Sequence, residues 1–138
     1  MIACFCGDEC VIDADVLFLE EKIRNVTEYL LRDGRVVFIS DGYSDYGLLC
    51  KRIIEEYKKD YPHIIYLSAM EYIAPGYEKG NYDVMLRGSI EPQNRNTAKQ
   101  KCNDYLIAKG DIIICYYKHS KCDMPLKIQD RDLITISL

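Results

Sequence analysis

The chain has 138 residues, with a hydrophobic fraction of 49% and a charged fraction of 29%. This composition is typical of one globular domain over residues 1–138, and it excludes a two-domain enzyme, a fibrous repeat and a long disordered tail. The 18 basic and 22 acidic residues give a net charge of −4, without a basic run that suits a phosphate backbone, so nucleic acid is not an expected partner.

The cysteines and the apolar runs indicate in which cellular compartment the chain is expected. Seven cysteines are an odd number, and several stand inside apolar runs such as 113–116, which is typical of a reduced protein rather than a secreted disulfide framework. No secretory signal pattern follows Met1, and the longest apolar stretches are well short of the ~20 residues that span a bilayer. We therefore expect a cytoplasmic protein with no membrane partner.

The first half of the chain alternates strands and helices. Met1–Phe5 is an apolar run that predicts a buried strand. From Val16 to Leu30 the apolar residues recur at three- and four-residue steps, which predicts an amphipathic helix. Val36–Ile39 is β-branched and apolar on both faces, as in a central parallel strand. A second helix is predicted with its inner face from Tyr46 to Tyr57, followed by a third strand at His63–Leu67.

The second half is less regular. Residues 69–96 carry irregularly spaced prolines and glycines and predict a long excursion with one short strand near Val84. A third helix is predicted at Thr97–Ala108, a further apolar strand at Asp111–Tyr117 and an edge strand at Leu133–Ile136. Alternating strands and helices imply right-handed crossovers. We therefore predict the α/β class, as a Rossmann-like three-layer α/β/α sandwich with a mostly parallel sheet of about five strands.

Candidate ligand-binding loops follow the predicted strands, because such sheets bind ligands beyond the carboxyl ends of strands, where the strand order reverses. These loops are Cys6–Glu9, Ser40–Asp45 and Lys118–Asp123. The second loop precedes a helix, where backbone N–H groups favour an anion, but Asp41 and Asp45 suit ribose hydroxyls better than a phosphate. An ordinary turn, with Gly42 for backbone freedom and Asp45 as helix cap, fits equally well. The dinucleotide G-x-G-x-x-G and P-loop motifs are both missing from the sequence.

Histidine and cysteine provide two further candidate chemistries. His119 and Ser120 follow the predicted strand at 111–117, where they can donate to a phosphate or, for the imidazole, act as acid or base. A solvated loop histidine is the simpler alternative. Cys4 and Cys6 share a face of a strand, but the C-x-x-C spacing of zinc sites is missing, so buried thiols are expected and no metal site is predicted.

Several segments together resemble one known group of proteins. They are, in chain order, Cys4–Glu9, Phe38–Gly42, Leu48–Cys50, Tyr61–Ile64, Asn103 ahead of Gly110-Asp111, and Tyr117–Ser120. The sequence resembles small bacterial members of the SLOG superfamily, of the YpsA-like subgroup, which are Rossmann-like nucleotide-binding domains related to the DprA/Smf and LOG proteins. The similarity covers nearly the whole chain and implies binding of a nucleotide.

The departures from the family pattern concern its charged and glycine positions. The Gly-His-Arg of the first family loop is here Gly7-Asp8-Glu9, and the arginine that precedes the helix asparagine is Cys102. The aromatic residue and two glycines after the histidine and serine are replaced by residues 121–123. Loss of cations and glycines weakens phosphate binding. The P-G-G-x-G-T-x-x-E motif of the LOG-type phosphoribohydrolases has no counterpart, so that activity is not expected.

The resemblance and the loops lead to one expected function and two alternatives. We expect non-catalytic binding of a nucleotide or nucleotide-derived small molecule by a homodimer, with Mg²⁺ as a candidate companion ion held by Asp8 and Asp41. The expected ligand-binding residues are Gly7, Asp8, Ser40, Asp41, Gly42, Ser44, Asn103, His119 and Ser120. One alternative is a hydrolase of a glycosidic or phosphate bond, with Asp8 or Glu9 as base and His119 as acid. The other is a decayed ligand domain that serves protein interaction or oligomerisation.

Overall fold

Within the part of the chain that the structure describes, six parallel strands form one sheet. The computed structural model describes residues 1–8, 10–32, 34, 36–42, 44–70, 84–85, 104–117 and 132–136. The strands are β1 (Ile2–Gly7), β2 (Val37–Asp41), β3 (Ile65–Met70), β4 (Val84–Met85), β5 (Ile112–Tyr116) and β6 (Asp132–Thr135). Their order across the sheet is β4-β3-β2-β1-β5-β6, and every pairing is parallel. The α/β class with a parallel sheet is therefore confirmed.

The number of strands differs from the expected number of about five. Four strands of five or six residues, β1, β2, β3 and β5, form the body of the sheet. β4 has two residues and β6 has four, and both lie at the edges. The third strand begins at Ile65 rather than His63, because the chain first makes a turn in which the Ile64 N–H donates to the Tyr61 carbonyl over 3.0 Å.

Two long helices connect the first three strands. They are α1 (Asp13–Leu31) and α2 (Asp45–Asp60). Gly34 has a φ of 118° just beyond α1, which is the left-handed conformation that favours glycine after a helix. A third helical stretch, α3, covers residues 104–109, and the rest of the helix predicted at Thr97–Ala108 lies outside the described residues. Neither α1, α2 nor α3 combines the length and the apolar character that crossing a membrane requires.

The helices cover both faces of the sheet. α1 and α2 pack on one face, where Leu19, Ile23 and Ile53 belong to the same apolar cluster as Phe5 and Phe38 of the strands. On the opposite face α3 contributes Leu106 and Ile107, which pack with Cys4, Cys6, Ile39 and Ile113. Alternate residues of each strand thus enter different apolar clusters, which explains why the central strands are apolar at every position. The arrangement is the predicted three-layer sandwich.

The strand order reverses beside β1. β2 and β3 follow on one side of β1, whereas β5 and β6 lie on its other side. β1 and β5 stay in register to their carboxyl ends, where Gly7 lies beside Tyr116. In open parallel sheets a crevice for ligands forms at this reversal, beyond the carboxyl ends of the two strands. The residues that follow β1 and β5 are therefore the first candidates for a ligand site.

Candidate functional site

Gly7 and Asp8 form the carboxyl end of β1. The Asp8 N–H donates to the Tyr116 carbonyl over 2.9 Å, which extends the pairing of β1 with β5 by one bond. A Cβ atom at Gly7 would lie 2.2 Å from Cδ1 of Tyr46 and 2.8 Å from the Tyr116 carbonyl oxygen. Only glycine permits this close approach of an aromatic ring to the strand backbone. The Asp8 side chain is 1% exposed and thus belongs to the interior of this edge.

Two tyrosines pack beside the end of β1. The ring centroids of Tyr46 and Tyr116 are 5.8 Å apart, and the Tyr46 hydroxyl donates to the Ile114 carbonyl over 3.2 Å. The Tyr116 hydroxyl faces Asp15, at 3.4 Å from its Oδ2. Burial raises the pKa of Tyr116 to about 12, and the nearby carboxylates of Asp15 and Asp8 add to the increase. The phenol is therefore a neutral group between two acidic residues at neutral pH.

The carboxylate of Asp41 organises the loop between β2 and α2. Asp41 ends β2 and is 1% exposed. Its Oδ1 accepts the Ser44 N–H over 2.7 Å, and the Ser44 hydroxyl lies 2.9 Å from each carboxylate oxygen. Ser44 Oγ also accepts the Gly47 N–H over 2.9 Å and so caps α2. Ser44 is thus the helix cap, and the prediction of Asp45 in that role is wrong because Asp45 is already the first helical residue.

Other backbone donors of the two loops also have acceptors within the chain. The Gly42 N–H donates to the Ala69 carbonyl over 3.3 Å, which continues the pairing of β2 with β3. The Val11 N–H donates to Oδ2 of Asp45 over 3.0 Å and so connects the segment before α1 to the first turn of α2. A phosphate at this edge would compete with these bonds. The loops are organised around carboxylates of the protein itself.

Ser40 is as fully buried as Ser44. Its side chain is fully buried, and its hydroxyl contacts the Tyr66 hydroxyl and lies 3.2 Å from the carbonyl oxygens of Asp41 and Gly47. Burial raises the pKa of Tyr66, so this phenol stays neutral. The Ser40 hydroxyl therefore connects β2 with β3 and with the start of α2, and its contacts are internal.

The structure describes six of the nine predicted ligand-binding residues. Those six are Gly7, Asp8, Ser40, Asp41, Gly42 and Ser44, and they stand at the carboxyl ends of the neighbouring strands β1 and β2 or directly after them. Asn103, His119 and Ser120 lie outside the described residues, as does Glu9. The hypothesis that Asp8, Asp41 and His119 converge as hydrolase groups stays a prediction, because the position of His119 is not described.

Sequence reasoning missed a groove and an aromatic contact at this edge. The groove has a volume of about 390 Å³ and lies between the first turns of α1 and α2, which is within the usual range for ligand pockets. It is lined by Val11, Asp13, Val16, Asp45, Leu48, Leu49 and Arg52. The apolar Val11-Ile12 pair before α1 is the sequence feature that could have indicated this groove. Tyr46 was predicted as an inner helix residue, but its contact with Gly7 depends on strand order, which periodicity does not show.

The described cysteines are free thiols, and four of the five are buried. Cys6 and Cys115 are register partners on β1 and β5. Burial raises the pKa of the Cys6 and Cys50 thiols, so both are protonated and unreactive at neutral pH. Across the described ranges, no three His, Cys, Asp or Glu side chains are grouped so that they could hold a metal ion.

Comparisons with known proteins do not assign this chain to a family. A scan against family models finds no model that matches, and a search of curated proteins finds no match. The observations above establish an α/β domain with a parallel sheet, in which the buried Asp41 carboxylate organises the loop after β2 and Asp8 is buried at the end of β1.

Proposed function

We propose that this chain binds a nucleotide or nucleotide-derived small molecule at the carboxyl edge of the sheet, without converting it. The observation that carries this proposal is the reversal of strand order between β1 and β5, with Gly7 and Asp8 at that point. Ligands of open α/β sheets occupy this position because strand ends and helix starts leave a crevice there. The resemblance of the loop segments to SLOG nucleotide-binding domains supports the same ligand class.

The chemistry of the edge favours hydrogen-bond donors on the ligand. Asp8 and Asp15 lie near the Tyr116 phenol, and carboxylates accept bonds from ribose hydroxyls and from exocyclic amines of a base. The alternative of hydrolysis takes Asp8 or Glu9 as base and His119 as acid, and of these three residues the structure describes only Asp8. A general base and a general acid must both reach the substrate or its attacking water, so this alternative stays a prediction.

Thermal-shift measurements with the purified protein test this proposal. The compounds are adenosine, AMP, ADP, ATP, NAD and ADP-ribose, each with and without Mg²⁺. A ligand at about 100 times its Kd stabilises the fold by about 2.7 kcal/mol, which raises the melting temperature by several degrees. We expect at least one compound to produce this shift and Asp8→Asn to abolish it. Asp60→Asn, an exposed change at the end of α2, is the matched control and should keep the shift.

A complete lack of shifts would contradict small-molecule binding. The second candidate, a protein-interaction or oligomerisation module, would then gain support from the apolar surface near the groove. Leu48 lines the groove and is 43% exposed, and Ile12 and Leu17 at the start of α1 are 47% and 78% exposed. Exposed apolar groups of this size on neighbouring helix starts suit a protein interface. Light scattering would compare the particle mass with the 16.0 kDa of one copy.

A further inference from the structure

We propose that the starts of α1 and α2 form a two-fold interface with a second copy of this chain, in which the first two turns of α2 lie antiparallel to the same turns of the other copy. The interface belongs to the helices, so it does not depend on nucleotide binding at the edge of the sheet. The observation that carries the proposal is a stripe of side chains on α2 whose charges complement the same stripe when it is reversed.

The stripe consists of four residues on one face of α2. They are Asp45, Leu48, Leu49 and Arg52, and all four line the groove between the helix starts. Their spacing of three, four and seven residues places them on one side of an α-helix, with about 10 Å between the first and the last. Helices use this spacing to pack against another helix. Two leucines thus stand at the centre of the stripe, and opposite charges stand at its ends.

The stripe is accessible from solvent. Leu48 is 43% exposed, the Arg52 side chain is 53% exposed, and Asp45 is exposed as well. On α1 the neighbours in sequence of the lining residues, Ile12 and Leu17, are also exposed. Large apolar side chains that are exposed together at one place are typical of a protein interface.

The seam between α1 and α2 is closed in its later turns and open at the stripe. Arg24 donates to Glu56 over 2.6 Å, and the Tyr57 hydroxyl donates to Glu28 over 2.7 Å, so polar contacts join the two helices there. Between the first turns lies the groove of about 390 Å³, with apolar walls from both helices. The described side chains therefore leave room for side chains of another molecule at this end of the seam.

Two identical stripes complement each other when they run antiparallel. A two-fold axis between Leu48 and Leu49 places Asp45 of each copy opposite Arg52 of the other, so two ion pairs form at once. The four leucines meet at the axis, with each Leu48 close to its own copy. A parallel alignment would instead place Asp45 against Asp45 and Arg52 against Arg52, which is repulsive. The same surface thus serves on both sides, as in the isologous interfaces of two-fold dimers.

Both charged ends of the stripe can accept a further contact. Arg52 already donates to Glu20, but a guanidinium carries several N–H donors. Asp45 Oδ2 accepts the Val11 N–H over 3.0 Å, and a carboxylate has several acceptor sites. Charged pairs across an interface determine its orientation more than its affinity. Burial of the leucines therefore supplies the attraction, and the charges select the antiparallel alignment.

The experiment uses opposite charges at Leu48, because this residue meets its own copy at the axis. Light scattering measures the particle mass of wild type, of Leu48→Glu and Leu48→Lys alone, and of their equal mixture. We expect wild type at twice the 16.0 kDa of one copy and each variant alone at the mass of one copy. Like charges at the axis should raise the dissociation constant at least about tenfold. The mixture should regain the double mass at low salt, because opposite charges then meet, and should dissociate more readily at high salt.

A second pair of variants tests the ends of the stripe. Asp45→Arg and Arg52→Asp should each be monomeric alone, because each creates like charges at both ends of the antiparallel pair. Their mixture should be dimeric, because every contact across the axis then joins opposite charges. Tyr29→Glu is the matched control, since Tyr29 is exposed near the far end of α1, and this variant should keep the double mass.

Each other outcome overturns the inference. A wild-type mass of one copy at the highest attainable concentration excludes the dimer, and dimeric Leu48 variants show that the interface lies elsewhere. Monomeric single variants whose mixtures also stay monomeric exclude the two-fold antiparallel arrangement. Circular dichroism confirms folding first, and if a Leu48 variant does not fold, the Asp45 and Arg52 variants decide.

Failure of this inference and failure of the proposed function are distinguishable. A monomer whose melting temperature shifts with a nucleotide would keep the proposed function and overturn the interface. A dimer that behaves as expected in the mixtures, without a shift from any nucleotide, would keep the interface while nucleotide binding is wrong. The two readouts are independent, because the charge variants are measured by mass and the ligand by thermal stability.

Discussion

The absence of a side chain at Gly7 lets the ring of Tyr46 lie against the end of β1. A Cβ at this position would be 2.2 Å from Tyr46 Cδ1, and real carbon atoms do not approach so closely, so the ring or the strand must shift. We predict that Gly7→Ala lowers the free energy of unfolding by about 2–3 kcal/mol, the usual cost of overpacking a core. Urea unfolding of the purified variant measures it.

A double-mutant cycle identifies the contact responsible. In a Tyr46→Leu background, where the ring is gone, Gly7→Ala should cost about 1 kcal/mol less than in wild type, because neighbouring residues that clash are coupled. An equal cost in both backgrounds would contradict the assignment and would indicate that the Tyr116 carbonyl, 2.8 Å from the same Cβ position, dominates.

Ser44 combines two structural tasks at one hydroxyl. It caps α2 through the Gly47 N–H and donates to the buried Asp41 carboxylate. Ser44→Ala removes both contacts, and we predict a loss of about 2–3 kcal/mol of unfolding free energy. The same change in an Asp41→Asn background should cost less, because no buried charge then loses a donor. Equal costs in the two backgrounds would show that the cap alone matters.

At the scale of elements, α1 and α2 hold each other through polar side chains as well as apolar ones. Arg24 and Glu56 form an exposed ion pair with a 2.6 Å contact, which holds the pKa of Glu56 below its ordinary value. Such exposed pairs contribute little to stability. Tyr57 is more informative, because its hydroxyl donates to Glu28 over 2.7 Å while its ring is half-buried against the core.

The alkaline stability of the protein tests this helix contact. Burial, and then the bond to Glu28, raise the pKa of Tyr57 from 10.0 to about 12. A raised folded pKa stabilises the protein fully below pH 10, and this contribution is lost as the pH rises through 12. Between pH 10 and pH 12 the free energy of unfolding should therefore decrease, and we predict that this decrease is smaller by about 1 kcal/mol in Tyr57→Phe. Tyr29→Phe, an exposed change on α1, should leave the fall unchanged.

The elements themselves were largely predictable from local pattern. The three- and four-residue spacing from Val16 to Leu30 predicted α1, and the apolar runs at 36–39 and 111–117 predicted β2 and β5, because burial on one or two faces fixes those periods. The cap of α2 was misassigned. Ser44 and Asp45 are both common caps, and only the three-dimensional loop shows which of them receives the Gly47 N–H.

At the scale of the whole molecule, the site depended on contacts that the sequence does not display. The tight packing at Gly7 involves Tyr46 and Tyr116. These two residues are distant along the chain, and Tyr116 reaches Gly7 because β5 pairs with β1. Likewise, Asp41 was predicted to bind ribose hydroxyls on the basis of its position after a strand. Its contacts with Ser44 depend on the turn between them, and a single buried carboxylate can serve either purpose.

The positions of the cysteines provide a test of the whole fold. Cys4 and Cys6 of β1, Cys50 of α2 and Cys115 of β5 are buried, whereas Cys10 is exposed after β1. Burial also raises the pKa of Cys6 and Cys50, which lowers the fraction of reactive thiolate. We predict that a thiol reagent labels Cys10 within the time of mixing and the four buried cysteines only at the rate of global unfolding.

Peptide mass spectrometry after timed labelling separates these groups. Destabilising variants such as Gly7→Ala should accelerate labelling of all four buried cysteines by a common factor, because a single sheet opens as one cooperative unit. Rapid native labelling of Cys6 or Cys115 would contradict the pairing of β1 with β5, on which the position of the proposed site depends. Rapid labelling of Cys50 alone would instead indicate local opening of α2, the helix whose start Asp41 and Ser44 hold in place.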